Sequence, residues 1–310
     1  SEFGAEFFPK NKFNFPLKFA STEVPIGIKY NAGISAQLKS AVILAGLNSY
    51  GTTEIIEKMK SRNHTENILK KNFKAIKIRK GTKNLIKIYG KKTLQALKMN
   101  IPGDPSSAAF FTALTILNRN SSLKIKNVGL NPTRIGFYEI LKKHGAKIFF
   151  KNKRIMHNEV IGDIIIKSGK LKKPIFSPKN FYEKTTDEFP ILFCIAALTK
   201  GTSVFKGIGD LANKESNRIT EMQKILKQIN VKSSASKSEV KIYGKDFINK
   251  KGRFIKVPNL KDHRICMCSV ILGLLIGVKT KIKNFETVYT SSPSFLNLIK
   301  SLGGKFEIES

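Results

Sequence analysis

The sequence repeats one plan four times, and this repetition limits the available folds more than any other feature. In each repeat a Ser or Asp precedes an apolar helix, a β-rich run follows, and a second helix leads through a Gly-containing turn into a closing strand. The repeats open at Ser35, Ser107, Asp187 and Asp262, which lie 72, 80 and 75 residues apart. The similar spacing and the constant order of parts indicate internal duplication.

The first helix of each repeat is apolar on nearly all sides. The runs AVILAGL, ILFCIAAL and CSVILGLL carry no charged residue. Such helices belong in a protein interior, so we expect sheets to cover them from outside. Alternating helices and strands place the chain in the α/β class, and we expect an inside-out α/β barrel of repeated units in two domains. No strand precedes a G-x-G-x-x-G or P-loop pattern, so the sequence offers no dinucleotide or nucleoside triphosphate site.

The chain opens on SEFGAEFF, which is similar to the phrases HGAKIFF and LGGKFEI that close later repeats. The similarity predicts that the opening residues form the closing strand of a repeat whose body lies upstream. We therefore expect residues 1–102 to form an incomplete N-terminal domain, made of that strand and one whole unit. Residues 103–310 should form a C-terminal domain of three units. On this interpretation the chain is truncated at its N-terminus, and we expect the 310 residues alone to be inactive.

The composition is that of a soluble globular protein, with 41% hydrophobic and 25% charged residues. No apolar run approaches the roughly 20 residues that a membrane helix needs, and the start lacks the basic-then-apolar order of a signal peptide. We therefore expect a cytoplasmic protein. Cys194, Cys266 and Cys268 lie in apolar stretches, which predicts small buried side chains in place of a zinc site.

The formal net charge of +34 is the feature that most favours a nucleic-acid partner. The lysines, however, are spread over the whole chain without a dense basic tract, and no aromatic RNA-binding signature is present. A basic surface of that kind also attracts small anionic substrates. We therefore expect small anions, and not nucleic acid, as the main partners.

The densest group of chemically useful residues is ANKESNRIT, residues 212–220. On a helix, Lys214, Glu215 and Arg218 would share one face by their spacing of three and four residues. One interpretation is a solvated ion-pair face of modest value. The other is a proton-transfer carboxylate flanked by two anion-binding cations. The residues alone leave both interpretations open.

The order of seven segments along the chain favours the proton-transfer interpretation over the ion-pair face. These are SAQLKSAVILAGL, SRNHTE, PGDPSSAAFF, NPTRIGFYEIL, DEFP, NKESNRI and DHR. In this order the sequence resembles the 5-enolpyruvylshikimate-3-phosphate synthase family over nearly its whole length. The segments NKESNRI and DHR, at their separation and after DEFP, are highly specific together.

The resemblance implies transfer of the enolpyruvyl group of phosphoenolpyruvate to the 5-hydroxyl of shikimate 3-phosphate, with release of phosphate, on the route to chorismate. It implies two domains of three similar units each, with substrates in the cleft between them. Acid–base groups and fixed cations suffice for this reaction, so we expect neither a metal nor an organic cofactor. The implied partners are two small anionic substrates, without nucleic acid or membrane, and the implied state is a monomer.

The resemblance also assigns roles to residues. Asp187 matches the carboxylate that holds and deprotonates the 5-hydroxyl, and Glu215 matches the acid that protonates the methylene carbon of phosphoenolpyruvate. Lys214 matches a substrate-binding and proton-relay lysine. The residues implied in phosphoenolpyruvate binding are Gln37, Arg218 and Arg264. The residues implied in shikimate 3-phosphate binding are Ser35, Ala36, Gln37, Ser61, Arg62, Asp187 and Lys214.

Two alternatives remain at this point. A sister enzyme that transfers enolpyruvyl to a UDP-sugar shares the fold, but NKESNRI and SAQ fit shikimate 3-phosphate better. An RNA-binding or RNA-end-processing protein of related fold would suit the positive charge. That second alternative leaves the combination of Asp187, Glu215 and Arg264 unexplained.

Overall fold

The computed structural model of the chain describes residues 2–11, 14–70 and 74–308, which form two compact units. Unit 1 comprises the described residues up to Ile101 together with Ile155–Glu159. Unit 2 comprises Pro102–Arg154 and the described residues from Val160 onward. Within the described ranges, no helix is both long and apolar enough to cross a membrane. The assignment of residues 1–102 to an incomplete domain stays a prediction.

Unit 1 is built around one four-stranded sheet with a helix on it. Its elements are β1 (Glu6–Phe8), β2 (Lys18–Ala20), β3 (Lys29–Ala32), α1 (Ala36–Asn48), β4 (Thr52–Glu57), α2 (His64–Leu69), β5 (Ile76–Arg79) and β6 (Asn84–Tyr89). The larger sheet has the order β3-β4-β6-β5, and its core contains Ile43, Ile55, Ile86 and Ile88. A β-branched core of this kind suits the half-buried surface of a sheet.

Unit 2 contains three long apolar helices surrounded by strands. Its elements are α3 (Pro105–Leu117), β7 (Ser122–Gly129), α4 (Gly136–Lys143), β8 (Lys147–Met156), β9 (Glu159–Lys167), β10 (Phe176–Ser177), α5 (Tyr182–Thr185), α6 (Phe189–Ala197), β11 (Gly201–Lys206), α7 (Arg218–Gln228), β12 (Lys232–Ala235), β13 (Glu239–Gly244), β14 (Phe254–Val257), α8 (His263–Ile276), β15 (Lys279–Ile282) and α9 (Phe295–Ser301). The ends of β8 and β9 at residues 155–159 belong to unit 1.

The two four-stranded sheets repeat one topology. In unit 1 the order is β3-β4-β6-β5, and in unit 2 it is β10-β11-β13-β12. In each sheet the first two strands are parallel and the remaining neighbours are antiparallel. A parallel pair needs a crossover, which α1 provides in unit 1 and α6 in unit 2. The topology therefore repeats as the sequence predicts.

The central helices of unit 2 are α3, α6 and α8, which pack against one another. Every residue of α6 is buried, and most residues of α3 and α8 are buried. The strands lie outside these helices, so the expectation of an α/β fold with buried helices is confirmed. Cys194, Cys266 and Cys268 are free and buried in this core, as predicted.

Helix α1 departs from that expectation. Lys39, Ile43, Gly46 and Leu47 are its buried residues, while Leu38 and Leu44 are more than half exposed. Its run AVILAGL therefore covers the unit 1 sheet with one face only. Apolar residues all round a helix predict burial on all sides, but that burial requires neighbouring elements on every side.

The structure corrects two of the four predicted helix starts. Helix α3 is capped by Asp104, whose carboxylate accepts a hydrogen bond from the Ser107 N–H at 2.9 Å, so Ser107 lies inside the first turn. Helix α6 begins after Glu188, which leaves Asp187 in the turn before it. In both helices a proline occupies the first turn, where its missing N–H costs nothing and its fixed φ favours the start of a helix. Ser35 and Asp262 do cap α1 and α8, as predicted.

The predicted closing strand in LGGKFEI is also wrong. Residues 304–308 form no strand, and they have no ladder partner among the described residues. Alternating apolar residues favour an extended conformation, but a strand also needs a neighbour with which to exchange backbone hydrogen bonds.

Candidate active site

One buried guanidinium organises the chemically useful residues of unit 2. Arg218 is the first residue of α7, and its side chain is only 1% exposed. Its Nε donates to Asp262 Oδ2 at 3.0 Å, one terminal nitrogen lies 3.7 Å from Asp187 Oδ1, and the other donates to Glu215. Three carboxylates from separate parts of the chain therefore meet at one cation. Together with Arg264, which lies near Asp187, these residues form the Arg218 cluster.

Asp262 is the fully buried carboxylate of this cluster. It caps α8, and its Oδ1 accepts a hydrogen bond from the Arg264 N–H at 3.0 Å. Its Oδ2 also accepts from the Ser216 hydroxyl at 2.9 Å. Burial disfavours ionisation, but the charge and hydrogen bonds of Arg218 outweigh it and hold the pKa of Asp262 below its usual value. Asp262 thus fixes Arg218 and Arg264 to the same helix start.

Asp187 and Arg264 form the more open side of the cluster. The Asp187 carboxylate lies 3.9 Å from a terminal nitrogen of Arg264 and 3.7 Å from one of Arg218. The buried Arg264 Nε has no hydrogen-bond partner among the described residues. Since a buried donor without a partner is costly, Arg264 retains capacity to bind an anion.

The predicted shared helix face of Lys214, Glu215 and Arg218 is wrong. Lys214 and Glu215 lie in the bend between a 3₁₀ turn at Gly209–Asn213 and α7, which begins at Arg218. The reason is the Asn217 side chain, which accepts from the Thr220 N–H and caps the helix there. Glu215 still reaches Arg218, because the bend turns its side chain back onto the helix start.

Lys214 is directed to a different carboxylate. Its Nζ lies 2.8 Å from Asp210 Oδ2, and this oxygen also accepts a hydrogen bond from the Tyr182 hydroxyl at 2.7 Å. The side chains of Lys214 and Asp210 are each about one-third exposed. The structure therefore places Lys214 beside the Arg218 cluster in sequence but gives it a separate partner.

A second buried network lies directly next to Asp187 in the sequence. The Glu188 carboxyl accepts from the Ser106 hydroxyl, which in turn accepts from Arg134 at 2.7 Å. Arg134 also donates to Asp104 at 2.6 Å. Burial and the neighbouring charge of Asp187 raise the pKa of Glu188, which favours its neutral form.

These network residues were not predicted as functional. Ser106 and Arg134 lie in the quoted segments PGDPSSAAFF and NPTRIGFYEIL, but neither was assigned a role. Asp262 was interpreted only as a helix cap. The sequence signal for such residues is a charge inside an otherwise apolar segment, because a charge there needs a partner.

The predicted residues of unit 1 fall into two groups. Ser35, Ala36 and Gln37 form the start of α1, where the Ser35 hydroxyl accepts from the Leu38 N–H at 3.3 Å and Gln37 is exposed. Ser61 and Arg62 lie between β4 and α2, with Ser61 buried and Arg62 half-buried. Each group thus precedes a helix of unit 1.

The unit 2 cluster has the parts needed for proton transfer on an anionic substrate. It provides partly exposed carboxylates at Asp187 and Glu215, and guanidinium groups at Arg218 and Arg264. Fixed cations stabilise anionic ligands and developing negative charge. In the described ranges, no three His, Cys, Asp or Glu side chains are placed to hold a metal ion.

Comparison with protein families gives a direct match. The sequence model of EPSP synthase, or 3-phosphoshikimate 1-carboxyvinyltransferase, matches residues 1–299. EPSP stands for 5-enolpyruvylshikimate 3-phosphate. The 3-phosphoshikimate 1-carboxyvinyltransferase of Zymomonas mobilis is 35% identical over 98% of this chain and 68% of its own length. That of Aquifex aeolicus is 38% identical over 87% of this chain and 62% of its own length.

Solved structures agree with the sequence relatives. EPSP synthase from Acinetobacter baumannii superposes with a TM-score of 0.82 at 33% identity, covering 99% of this chain and 70% of that one. The enolpyruvyl transferase NikO from Streptomyces tendae, at 12% identity and a TM-score of 0.68, shares the fold. The chain thus spans about two thirds of the length of its relatives.

Proposed function

This chain belongs to the EPSP synthase family, and from that premise we propose that its Arg218 cluster carries the proton transfers of enolpyruvyl transfer. The family moves the enolpyruvyl group of phosphoenolpyruvate to shikimate 3-phosphate in the shikimate pathway. The observation that carries the proposal is the meeting of Asp187, Glu215 and Arg264 around Arg218.

The reaction requires one acid, one base and stabilised negative charge. Protonation of the methylene carbon of phosphoenolpyruvate leaves a cationic centre at the adjacent carbon. The 5-hydroxyl of shikimate 3-phosphate attacks that centre and gives up its proton. Loss of phosphate and of one methyl proton from the tetrahedral intermediate restores the double bond. Proton transfer by positioned side chains typically contributes about 10²–10⁴-fold to such steps.

In this proposal Glu215 delivers the proton to carbon. Its side chain is 47% exposed and is paired with Arg218. When anionic phosphoenolpyruvate binds Arg218, it competes with Glu215 for the same guanidinium. Displacement from Arg218 would leave the Glu215 carboxyl free to approach the methylene carbon.

Asp187 takes the role of base for the 5-hydroxyl. Its carboxylate lies 3.7 Å from a terminal nitrogen of Arg218 and 3.9 Å from one of Arg264, so it is held between the two guanidinium groups. We assign Arg264 to phosphoenolpyruvate, supported by its unpartnered Nε. Lys214 pairs with Asp210 in the structure. We assign it to shikimate 3-phosphate binding and to proton relay.

The unit 1 residues are assigned to substrate binding as the resemblance implies. The start of α1, with Ser35, Ala36 and Gln37, offers free backbone N–H groups of a helix N-terminus, which favour anions. Ser61 and Arg62 are assigned to shikimate 3-phosphate, and Gln37 to both substrates.

The two alternatives from the sequence are not favoured. The matching family and the Zymomonas mobilis relative are both named for 3-phosphoshikimate, and not for a UDP-sugar or RNA. A monomeric state, a cytoplasmic location and the absence of a nucleic-acid partner stay predictions. Light scattering of the purified chain tests the first of them.

The test of function is phosphate release from phosphoenolpyruvate with and without shikimate 3-phosphate. The assay uses a chimera in which the Zymomonas mobilis relative supplies the part of its length that this chain does not cover. We expect release that depends on shikimate 3-phosphate. Release of equal rate without that substrate, or no release at all, contradicts the proposal. The 310-residue chain assayed alone tests the expectation that it is inactive.

A further inference from the structure

A buried lysine in α1 holds two glutamates of unit 1. Lys39 is fully buried, and its Nζ lies 2.7 Å from Glu57 Oε1 and 2.6 Å from Glu66 Oε1. Glu57 ends β4 and Glu66 lies in α2. Removing three such groups from water is expensive, and taking away one partner of a buried pair leaves the other uncompensated.

Glu57 is the centre of this network. Besides Lys39, its Oε1 accepts hydrogen bonds from the Ser61 N–H at 3.0 Å and the Ser61 hydroxyl at 2.9 Å. Its Oε2 accepts from the Asn84 side chain at 2.7 Å. Burial opposes ionisation, but the bonds from Lys39, Asn84 and Ser61 outweigh it and lower the pKa of Glu57. The carboxylate is therefore held charged and fixed by four hydrogen bonds.

The hydrogen bonds to Glu57 limit the further hydrogen bonds that Ser61 can donate. Its backbone N–H and its hydroxyl hydrogen are both directed to Glu57. A phosphate or carboxylate ligand has only acceptor oxygens at neutral pH, so it needs donors. Ser61 cannot donate its hydroxyl to such a group without breaking its bond to Glu57. A ligand that binds the Ser61 hydroxyl therefore takes it from Glu57, which until then fixes its position.

The network also connects the two predicted binding segments of unit 1. Lys39 lies two residues after Gln37, within the first turns of α1. Through Lys39 and Glu57, the start of α1 is tied to the turn at Ser61 and Arg62. A second bond, 2.7 Å between the hydroxyls of Ser40 and Thr65, joins α1 to α2 independently.

We propose that Glu57, anchored by Lys39, is a positioning residue that fixes the Ser61–Arg62 turn for shikimate 3-phosphate. The inference deepens the proposed function and rests on it, because it concerns the substrate assigned to that turn. Binding sites reach a productive geometry when the residues that contact the ligand are held in place by buried residues behind them.

The test compares three variants of the 310-residue chain. Glu57→Ala removes every bond to Ser61, whereas Glu57→Gln keeps a carbonyl oxygen that can still accept from it. The matched control is Glu54→Gln on the same strand, which breaks a pair with Lys87 at 2.6 Å and does not contact Ser61. Hydrogen exchange at the Ser61 amide reports the turn, and calorimetric titration reports the affinity for each substrate.

For Glu57→Ala we expect amide exchange at Ser61 and the Kd for shikimate 3-phosphate both to rise about tenfold or more, with the Kd for phosphoenolpyruvate unchanged. Glu57→Gln should stay within about threefold of the parent, and the control should match the parent. A general structural defect would raise both Kd values together. Ser61 exchange in Glu57→Ala equal to that of the control overturns the inference.

Failure of the proposed function gives a different pattern. If the parent chain binds no shikimate 3-phosphate, the function assigned to the turn is contradicted. Amide exchange still decides whether Glu57 fixes the turn, because it needs no ligand. Equal affinity of all variants for shikimate 3-phosphate rejects the positioning role even if the turn loosens.

Discussion

At Arg218 a single buried cation meets three carboxylates, so an anionic ligand that reaches it must displace one of them. Asp262 is fully buried and caps α8, whereas Asp187 and Glu215 are partly exposed. Breaking the buried pair with Asp262 would be strongly unfavourable. The exchangeable partners are therefore Asp187 and Glu215, the two residues assigned to proton transfer.

Glu215→Gln tests the assignment of the acid. The amide is nearly isosteric and can still accept a hydrogen bond from Arg218, but it cannot donate a proton to carbon. In the chimeric enzyme we expect kcat to fall about 10²–10⁴-fold, with affinity for shikimate 3-phosphate largely kept. Steady-state kinetics and a binding titration measure the two effects. A kcat within a few fold of the parent removes Glu215 from this role.

Asp262→Ala tests the anchor of the cluster. Removing one partner of a buried ion pair leaves the other uncompensated, so we expect the free energy of unfolding to fall by about 3–5 kcal/mol. The comparison is Asp246→Ala, which breaks a more exposed pair with Lys170 at 3.4 Å and should cost about 1 kcal/mol or less. Urea unfolding measures both. Equal losses in the two variants would show that the Arg218 pair contributes no more than a surface pair.

Glu188→Gln tests whether the Glu188 carboxyl is neutral, through the pH dependence of thermal stability. Burial raises the pKa of Glu188 above the usual 4.5, so the folded protein binds this proton more tightly than the unfolded chain does. Its contribution to stability is fully present below pH 4.5 and is lost as the pH rises through the folded pKa. Glutamine cannot ionise. The Tm of the variant minus that of the parent should therefore increase from pH 4.5 to pH 8, and a constant difference contradicts the shift.

At the scale of the elements, strands β6 and β13 end on the same short sequence, as expected of repeated units. The phrase KIYGK spans the end of β6 at residues 87–91 and the end of β13 at residues 241–245. In both places the chain crosses the end of the first helix of the repeat, with Lys91 N–H donating to the Leu47 carbonyl and Lys245 N–H donating to the Ala197 carbonyl. A Cβ on Gly90 would lie 1.7 Å from a backbone oxygen, and one on Gly244 would lie 2.0 Å from two.

Gly244→Ala should therefore be far more harmful than an ordinary glycine substitution. The added methyl group meets the carbonyl oxygens of Ala196 and Thr199 at the end of α6, which are part of the backbone, so we expect the free energy of unfolding to fall by about 1–3 kcal/mol or more. Gly33→Ala is the control, since a Cβ there meets nothing within 4 Å. Thermal unfolding of both variants measures the difference. A Tm for Gly244→Ala equal to that of Gly33→Ala contradicts the close approach.

The elements also show how far the sequence predicts structure. Buried helices α6 and α8 follow from uninterrupted apolar runs, and the cap at Asp262 follows from its residue type. The start of α3 at Asp104 was missed, although Pro105 after an Asp is a recognisable signal. The bend at Lys214 could not be predicted from spacing alone, because Asn217 competes with Asp210 as a helix start. The strand expected at 304–308 does not form, because a strand must pair with another strand that its own sequence does not specify.

At the scale of the whole molecule, the site residues of unit 2 come from three different repeats. Asp187 precedes α6, Arg218 begins α7 within the same repeat, and Arg264 lies in the first turn of α8 in the next. Ser106, which donates to Glu188, belongs to α3 in the preceding repeat. Duplication thus supplied several helix starts, and divergence gave each a different polar residue. The sequence indicated these residues by type, but their pairing at Arg218 required the fold.

The central claim is that the Arg218 cluster protonates the methylene carbon of phosphoenolpyruvate during enolpyruvyl transfer. The most direct measurement is mass spectrometry of the product that the chimeric enzyme forms from phosphoenolpyruvate and shikimate 3-phosphate in D₂O. Because the methylene carbon becomes a methyl group before phosphate leaves, the account predicts an enolpyruvyl ether that carries deuterium on its methylene carbon. An ether formed without deuterium, or phosphate released without any ether, would contradict it.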